Sequence, residues 1–466
     1  MTPEPRPSRR AERPDTRDRR RALVSGQRSV NPLTVLAFVI PLATVGLLAT
    51  VDPAPTEDSA KPPSATPLTS TVVVCPPALA GADTLQAALA DPDVSGALRT
   101  SGADLEVGSG AVATWRTKGT DLLRGQGPTA SGLVASRSGG GIATDCLRPS
   151  SDVWFAGVGA GAEHSSVLRL VNPDGGPAIA DVVVHAADGI REVARLRGVA
   201  VPARDELTLD LAAVLPERDD VSLHIQVNRG RLASSVVDRV DPLGSDDRAV
   251  SWLPPAAAPA TDSYLPGVRR GEGDRTLVLT NPGTDQTLVR LRAVTPESEF
   301  APADVPEIAV PGGATVSVDL GAFLRSRAAA GLVALRLQAD APVVGLLRTT
   351  DGNTLSHAVA TAPLTGSGAT TLAGGDHRLV VAGAQEPSDV RVRQRAADGT
   401  PLKERRLTVR PGQGARLDLA GRARWVEVVV DGVPVVAAVE SGAGTVRPVR
   451  ELVTDNWVPH VGPALY

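Results

Sequence analysis

The clearest signal in the chain is an alternation of apolar and polar residues with a period of two. In Val221-Ser-Leu-His-Ile-Gln-Val227, Val221, Leu223, Ile225 and Val227 fall on one face and Ser222, His224 and Gln226 on the other. Val333, Leu335 and Leu337 alternate in the same way with Arg336 and Gln338, and Val426, Val428 and Val430 flank Glu427. This period belongs to half-buried β-strands. Turn signals cut the strands short: Asn172-Pro-Asp-Gly-Gly176, Asp188-Gly189, Asn228-Arg-Gly230, Asn281-Pro-Gly283, Asp398-Gly399 and Asp431-Gly432. Roughly seven short strands in roughly ninety residues predict a mainly β chain of immunoglobulin-like antiparallel β-sandwich modules.

The pattern repeats. Asp152, Trp154, Phe155, Gly157 and Val158 return in type as Asp262, Tyr264, Leu265, Gly267 and Val268, and Leu168, Leu170, Asn172 and Pro173 return as Leu277, Leu279, Asn281 and Pro282. Val199-Ala-Val-Pro202, Leu207, Leu209, Asp210 and Leu211 match Ile308-Ala-Val-Pro311, Val316, Val318, Asp319 and Leu320. A fainter copy keeps Leu407, Val409, Pro411, Leu417, Asp418 and Leu419 and lacks the Asn-Pro pair. A period longer than the roughly 20–50 residues of blades and solenoid repeats means tandem domains. The modules are placed at 151–258, 259–366 and 367–466. Residues 71–150 are less regular: Val72–Val74, Leu105–Val107, Ala111–Trp115 and Leu133–Ser136 read as strands, and Thr84–Leu89 as one or two helical turns. Gly139, Gly140 and Gly141 form a turn rather than a phosphate loop, since no Lys or helical segment follows.

Upstream the pattern changes. Leu33 to Val51 contains no charge, and a helix of that length just spans the roughly 30 Å hydrocarbon layer. A transmembrane helix is therefore predicted over 31–52, retained as an anchor. Cleavage as a signal peptide is the rival reading, opposed by the length of the apolar run and the lack of a small-x-small site after Ala49. Residues 1–30 carry nine Arg against Glu4, Glu12, Asp15 and Asp18, which predicts a disordered cytoplasmic tail with the body outside. Residues 53–70 read as a Pro-rich linker. With the whole chain at −4, the part beyond the tail is acidic, which opposes nucleic-acid binding.

Cys75 and Cys146 are the two cysteines, both beyond the apolar run, and are predicted to form a disulfide that closes the 71–150 subdomain. Asp210, Asp319 and Asp418 are the sharpest repeated polar positions. Each ends a strand before a helix-friendly run, which suits a helix N-cap. Asn172 and Asn281 suit Asn-Pro turns, and Trp154 and Tyr264, like Trp252 and Trp457, suit a core or a seam between modules. The histidines 164, 185, 224, 357, 377 and 460 are scattered singly. No catalytic, metal-binding or cofactor motif is found, so no catalytic residue, metal ligand or cofactor is assigned.

The cytoplasmic tail, apolar span, Pro-rich spacer, Val-Val-Val-Cys-Pro at 72–76, Cys146-Leu-Arg-Pro149, Trp154-Phe-Ala-Gly157 and the Asn-Pro modules together resemble a DUF5719-like family of actinobacterial, membrane-anchored extracytoplasmic proteins of unknown function. The resemblance implies location and architecture and carries over no functional residue. The expected function is that of a non-catalytic, single-pass binding or scaffolding protein of the bacterial cell envelope, acting on an envelope protein or polysaccharide and on no nucleic acid. The alternatives are an envelope hydrolase or transferase with a site between modules, and a lectin for cell-wall polysaccharide.

Overall fold

The computed structural model describes residues 32–50, 64–215, 220–244, 247–442 and 444–458. They fall into two units, one holding the helix Pro32–Thr50 and the other running from Ser64 to Val458. The helix carries no charge, and the Thr44 hydroxyl lies 2.9 Å from the carbonyl oxygens of both Ile40 and Pro41. Among the described residues, no helix is long and apolar enough to cross a membrane. The expected tail 1–30 lies outside the described residues, as do both ends of the expected span and linker residues 53–63.

Every module is a pair of antiparallel sheets with one strand order. In module 1 the first sheet runs Asp152–Val158, Val221–Arg229, Ala178–Ala186, Gly189–Arg191, which are the first, sixth, third and fourth strands in chain order when the short Val199–Val201 is left uncounted. Val199–Val201 adds to the third strand. The second sheet runs Glu206–Asp210, His164–Val171, Ala233–Val240, Ala249–Leu253, the fifth, second, seventh and eighth strands. Apolar residues of both sheets meet between them, Phe155, Val182, Val184, Leu223 and Ile225 from the first and Leu168, Leu170, Val236 and Leu253 from the second. Modules 2 and 3 repeat the order. In module 2 the sixth and seventh strands are one continuous strand, Ala334–Asp351, whose first half pairs in one sheet and second half in the other.

Residues 70–145 adopt the same order, with sheets Ser70–Cys75, Asp121–Gln126, Gly96–Arg99, Asp104–Val107 and Ala113–Arg116, Thr84–Leu89, Leu133–Gly139, Ile142–Asp145. The body therefore has four modules rather than three and a subdomain. Thr84–Leu89, expected as helical turns, is the central second strand, and Leu85, Ala87 and Leu89 enter the core with Val73, Leu98 and Leu123. Six residues with this burial cannot reveal their period in sequence, because Gln86 and Ala88 are buried too, against the last module. Gly140 and Gly141 make the two-residue turn between Leu133–Gly139 and Ile142–Asp145. Cys75 and Cys146 are bonded and join the first sheet to the end of the second.

The modules form a closed circuit, because the first sheet of each packs on the second sheet of the next. Val74 of the N-terminal module meets Val171 and Ala233 of module 1. The core of module 1 runs on into Val278, Val344, Leu346 and Val359 of module 2. Tyr264, Val294 and Val333 meet Val380, Ala438 and Val446 of module 3, and Ala369 and Trp425 of module 3 return to Ala88 and Val112 of the N-terminal module. The eighth strands of neighbouring modules approach one another in the same order. A latch closes the circuit, with Ser64–Pro67 pairing antiparallel with Asp455–Val458. The end of the expected spacer is thus a strand. Trp457, expected in a core or seam, lies on this latch and is 73% exposed.

Repeated glycines mark two seams. Gly157 has φ +66, and a Cβ there would lie 2.9 Å from Leu346 Cδ2, while Gly267 has φ +82 and its Cβ would lie 2.5 Å from Val446 Cγ1. Each ends or follows a first strand where the next module approaches, so Ala is opposed by both conformation and space. Gly157→Ala and Gly267→Ala should each destabilise the body by about 1–3 kcal/mol in denaturant titration, whereas Gly102→Ala, with nothing within 4 Å, should stay within about 0.5 kcal/mol. Replacing both cysteines with Ser should cost about 2–5 kcal/mol in the same titration, since their sequence separation is 71 and the bond restrains a long loop of the unfolded chain. Equal denaturation midpoints for the native and Ser proteins would refute this.

Candidate functional site at the module seams

The polar chemistry of the body gathers where second sheets meet preceding modules. Between modules 1 and 2 lies a cleft of about 870 Å³ lined in part by Glu163, His164, Asp220, Ser317 and Arg348. His164 opens its strand and sits between two carboxylates, Nδ1 at 2.9 Å from Asp220 and Nε2 at 2.9 Å from Asp238. Asp238 is fully buried and also accepts from the Ser166 hydroxyl at 2.5 Å and from His357 Nε2 at 2.9 Å. Asp220 accepts from both terminal nitrogens of Arg348, at 2.7 and 3.2 Å, and from the Ser317 hydroxyl at 2.7 Å. His164, Ser166, Asp220 and Asp238 belong to module 1, and Ser317, Arg348 and His357 to module 2. The network therefore ties two modules across their seam.

The electrostatics follow from the geometry. Burial by itself would lower the pKa of His164, but the charge of Asp238 and the hydrogen bonds to Asp220 and Asp238 outweigh it, and the pKa is raised. Both ring nitrogens face carboxylate oxygens, which suits the imidazolium, a donor at both positions. Burial works against ionisation of Asp238 and Asp220 as well. His164 and His357 nevertheless hold Asp238 well below the usual carboxylate range, and His164 with Arg348 does the same for Asp220. Arg348 Nη1, 3.2 Å from His164 Nδ1, opposes protonation of His164, and where His164 is protonated its charge and that of Arg348 balance the two aspartates. Ser166 and Ser317 give their protons to carboxylates rather than to a histidine, so neither is set up as a nucleophile. Among the described residues no group of three or more His, Cys, Asp or Glu side chains is arranged to hold a metal ion.

A second cleft, of about 660 Å³, lies between modules 2 and 3 and brings Asp376, His377, Asp418 and Glu440 together with Arg269, Arg378 and Arg416. Burial raises the carboxyl of Glu440 above its ordinary range, against the opposing charges of Arg416, Arg378 and Arg269. The seam between module 3 and the N-terminal module is sealed by direct bonds: Arg447 Nη1 to Asp145 at 2.7 Å, Gln86 Nε2 to the Leu372 carbonyl at 3.1 Å, and Arg395 to the Leu89 carbonyl at 2.8 Å with its guanidinium 4.6 Å above the Trp425 ring.

The repeated residues serve this frame. Asp210 is the N-cap of the short helix Leu211–Val214 and accepts the N–H of Ala212 at 3.1 Å, whereas Asp319 stands one residue before Leu320, the N-cap of Gly321–Arg325, and accepts the N–H of Gly321 at 2.7 Å. Asp418 departs from the cap reading. No helix follows it, and its exposed carboxylate pairs with Arg378 at 2.7 Å, because Ala420-Gly421 turns the chain at once. Asn172 and Asn281 accept the N–H two residues on, at 3.0 and 2.9 Å, and each also donates to a distant strand end, Asn172 to the Val201 carbonyl and Asn281 to that of Val310, both at 3.1 Å. They are buried staples between loops as well as turns. Trp154 is buried and stacks on His224 at 4.0 Å, and His224 in turn reaches Asp152 at 2.9 Å. Tyr264 fills the seam to module 3, where burial pushes its phenol up to about 12. Reading the chain by its repeats missed the His164 network, because none of His164, Asp220, Asp238 and His357 belongs to the repeated set.

The network gives a pH prediction with a definite sign. His164 has a folded pKa above its ordinary 6.5, so the stability it contributes is complete below pH 6.5 and is lost as pH rises through the folded value. Denaturant midpoints should fall between pH 6.5 and 9 in the native chain and stay nearly flat over that range in His164→Gln. The two aspartates act oppositely, their share being present above their ordinary 3.8 and lost in acid. Asp238→Ala, which strands His164 and His357 in a buried site, should cost about 3–5 kcal/mol at pH 6.

No curated protein and no solved structure matches the chain. The family model described as a family of unknown function, DUF5719, matches residues 106–420, from the fourth strand of the N-terminal module to just past the fifth strand of module 3, and the chain belongs to that family.

Proposed function

We propose that this is a non-catalytic binding or scaffolding protein of the bacterial envelope, anchored by one span over residues 31–52 with its body outside the cytoplasm. The observation that carries the reading is the closed circuit of four modules with its first and last strands latched together. The anchor rests on the uncharged run Leu33 to Val51 and the arginines before it, and an oxidising location suits the Cys75–Cys146 bond. Kinship with immunoglobulin-like sandwiches is supported by two shared pairings, second strand with fifth and third with sixth, while the first and seventh strands pair differently.

One observation favours the hydrolase alternative, the gathering of Asp376, His377, Asp418 and Glu440 in the cleft between modules 2 and 3, with a raised carboxyl of the kind a general acid needs. Against it, Asp418 is engaged by Arg378. The lectin alternative has less support, since Trp457 is the one large aromatic left exposed among the described residues.

Cross-linking the full chain in native membranes should capture a reproducible envelope partner, and a reporter fused after Tyr466 should be active only outside the cytoplasm. A reporter active in the cytoplasm, or a mature protein released in soluble form from near residue 50, would overturn the anchored reading. Loss of an envelope phenotype in Glu440→Gln with stability unchanged would instead favour the enzyme.

A further inference from the structure

Where the N-terminal module, module 1 and module 3 converge there is a cavity of about 340 Å³, within the range of roughly 300–1,000 Å³ typical of small-molecule sites. Its walls include Leu147, Val153, Trp154, Ala256, Ala369 and Leu452. Two guanidinium groups line it. Arg450 donates to the Pro255 carbonyl at 2.9 Å, and Arg148 donates to Thr71 Oγ1 and the Leu133 carbonyl, both at 3.3 Å, and to the Val453 carbonyl at 3.5 Å. Neither has a carboxylate within 4.0 Å among the described residues, whereas Arg348 and Arg447, buried at other seams, each pair with an aspartate.

Three carboxylates also border the cavity, and each is already engaged. Asp145 accepts from Arg447 at 2.7 Å and from Thr370 at 2.8 Å, Asp152 from His224 at 2.9 Å, and Glu451 from Thr365 at 2.5 Å. Asp145 is matched by Arg447, and Asp152 and Glu451 lie at exposed positions where water screens them, so Arg148 and Arg450 are the charges of the cavity wall that lack an acid partner among the described residues. Burial lowers the pKa of both arginines, with only Asp145 opposing it at Arg450, so each cation sits where water solvates it poorly. An arginine does not shed its proton to escape that cost, and its planar fork matches the oxygens of a carboxylate or phosphate.

We propose that this cavity binds a small amphiphile, with an anionic carboxylate or phosphate head held by Arg148 and Arg450 and an apolar body against Trp154, Val153 and Leu452. The proposal does not rest on the scaffold reading, so its failure would leave that reading standing.

Calorimetric titration of the full chain in a non-ionic detergent tests this with four probes: octanoate, octyl phosphate, the neutral octan-1-ol and inorganic phosphate. At least one of the two amphiphilic anions should bind, with octan-1-ol and inorganic phosphate each at least tenfold weaker, and the preferred anion identifies the head group. Arg450→Met and Arg148→Met should each weaken that binding about tenfold or more, a charge-assisted bidentate contact being lost. Ala258→Trp keeps both arginines and fills the cavity from an exposed position, so it should abolish binding with the melting temperature unchanged, and it decides the matter if an arginine variant fails to fold. Equal binding of octan-1-ol, binding of inorganic phosphate that survives Ala258→Trp, or no heat from either anion would each overturn the proposal.

Discussion

The structure depends on burying the outer face of each module's first sheet against the second sheet of the next module. A two-sheet module buries one face of each sheet in its own core and leaves two faces to be covered. Here the next module packs on the first sheet and the preceding module on the second, and because the body is a closed circuit, no module is left at an end. Full burial of each Val, Leu or Trp in the seams contributes about 1.5–3 kcal/mol. Seam residues such as Val278, Leu346, Val380 and Trp425 are as buried as those of the cores. Terminal modules of an open array would need polar outer faces instead. The pairing of Ser64–Pro67 with Asp455–Val458 removes that need by joining the first strand to the last.

Close packing of the seams determines how polar groups can occur there. A carboxylate with the burial of Asp238 is tolerable only with donors directed at both oxygens, and His164, Ser166 and His357 supply them. The same logic explains Arg447 on Asp145 and Arg395 on the backbone of Leu89. These networks are weak evidence for net stability, since the desolvation cost offsets much of the attraction, but they fix which module meets which. Four modules of one topology could pack in several orders. The seam between modules 1 and 2 is distinguished by His164, Asp220 and Arg348, that between modules 2 and 3 by Tyr264 and Glu440, and the closing seam by Trp425 and Arg447.

Much of this was legible in the chain because it is local. Alternation of period two specified strands such as Val221–Arg229, Gly and Asn-Pro signals specified turns, and the isolated pair Cys75 and Cys146 specified a bond. Repetition specified modules and marked Gly157 and Gly267, Asp210 and Asp319, and Asn172 and Asn281, whose backbone roles modules 1 and 2 share. The alternation failed at Thr84–Leu89, where both faces are buried and the period disappears, and at Asp418, where the cap position survives without its helix.

The circuit, the latch and the seam chemistry were decided by tertiary structure alone. Which modules touch depends on the curvature accumulated over four sandwiches, and no pattern within one module encodes it. Asp238 meets His164 across neighbouring strands and His357 from the next module, at separations of 74 and 119 residues, so in sequence they are single, unremarkable polar residues. The cavity beside Arg148 and Arg450 likewise joins residues of three modules. By itself the sequence determined a tandem β chain with an apolar run before it and a disulfide within it, because those properties follow from neighbours along the chain. The sites arise where distant surfaces come together, which only the folded circuit brings about.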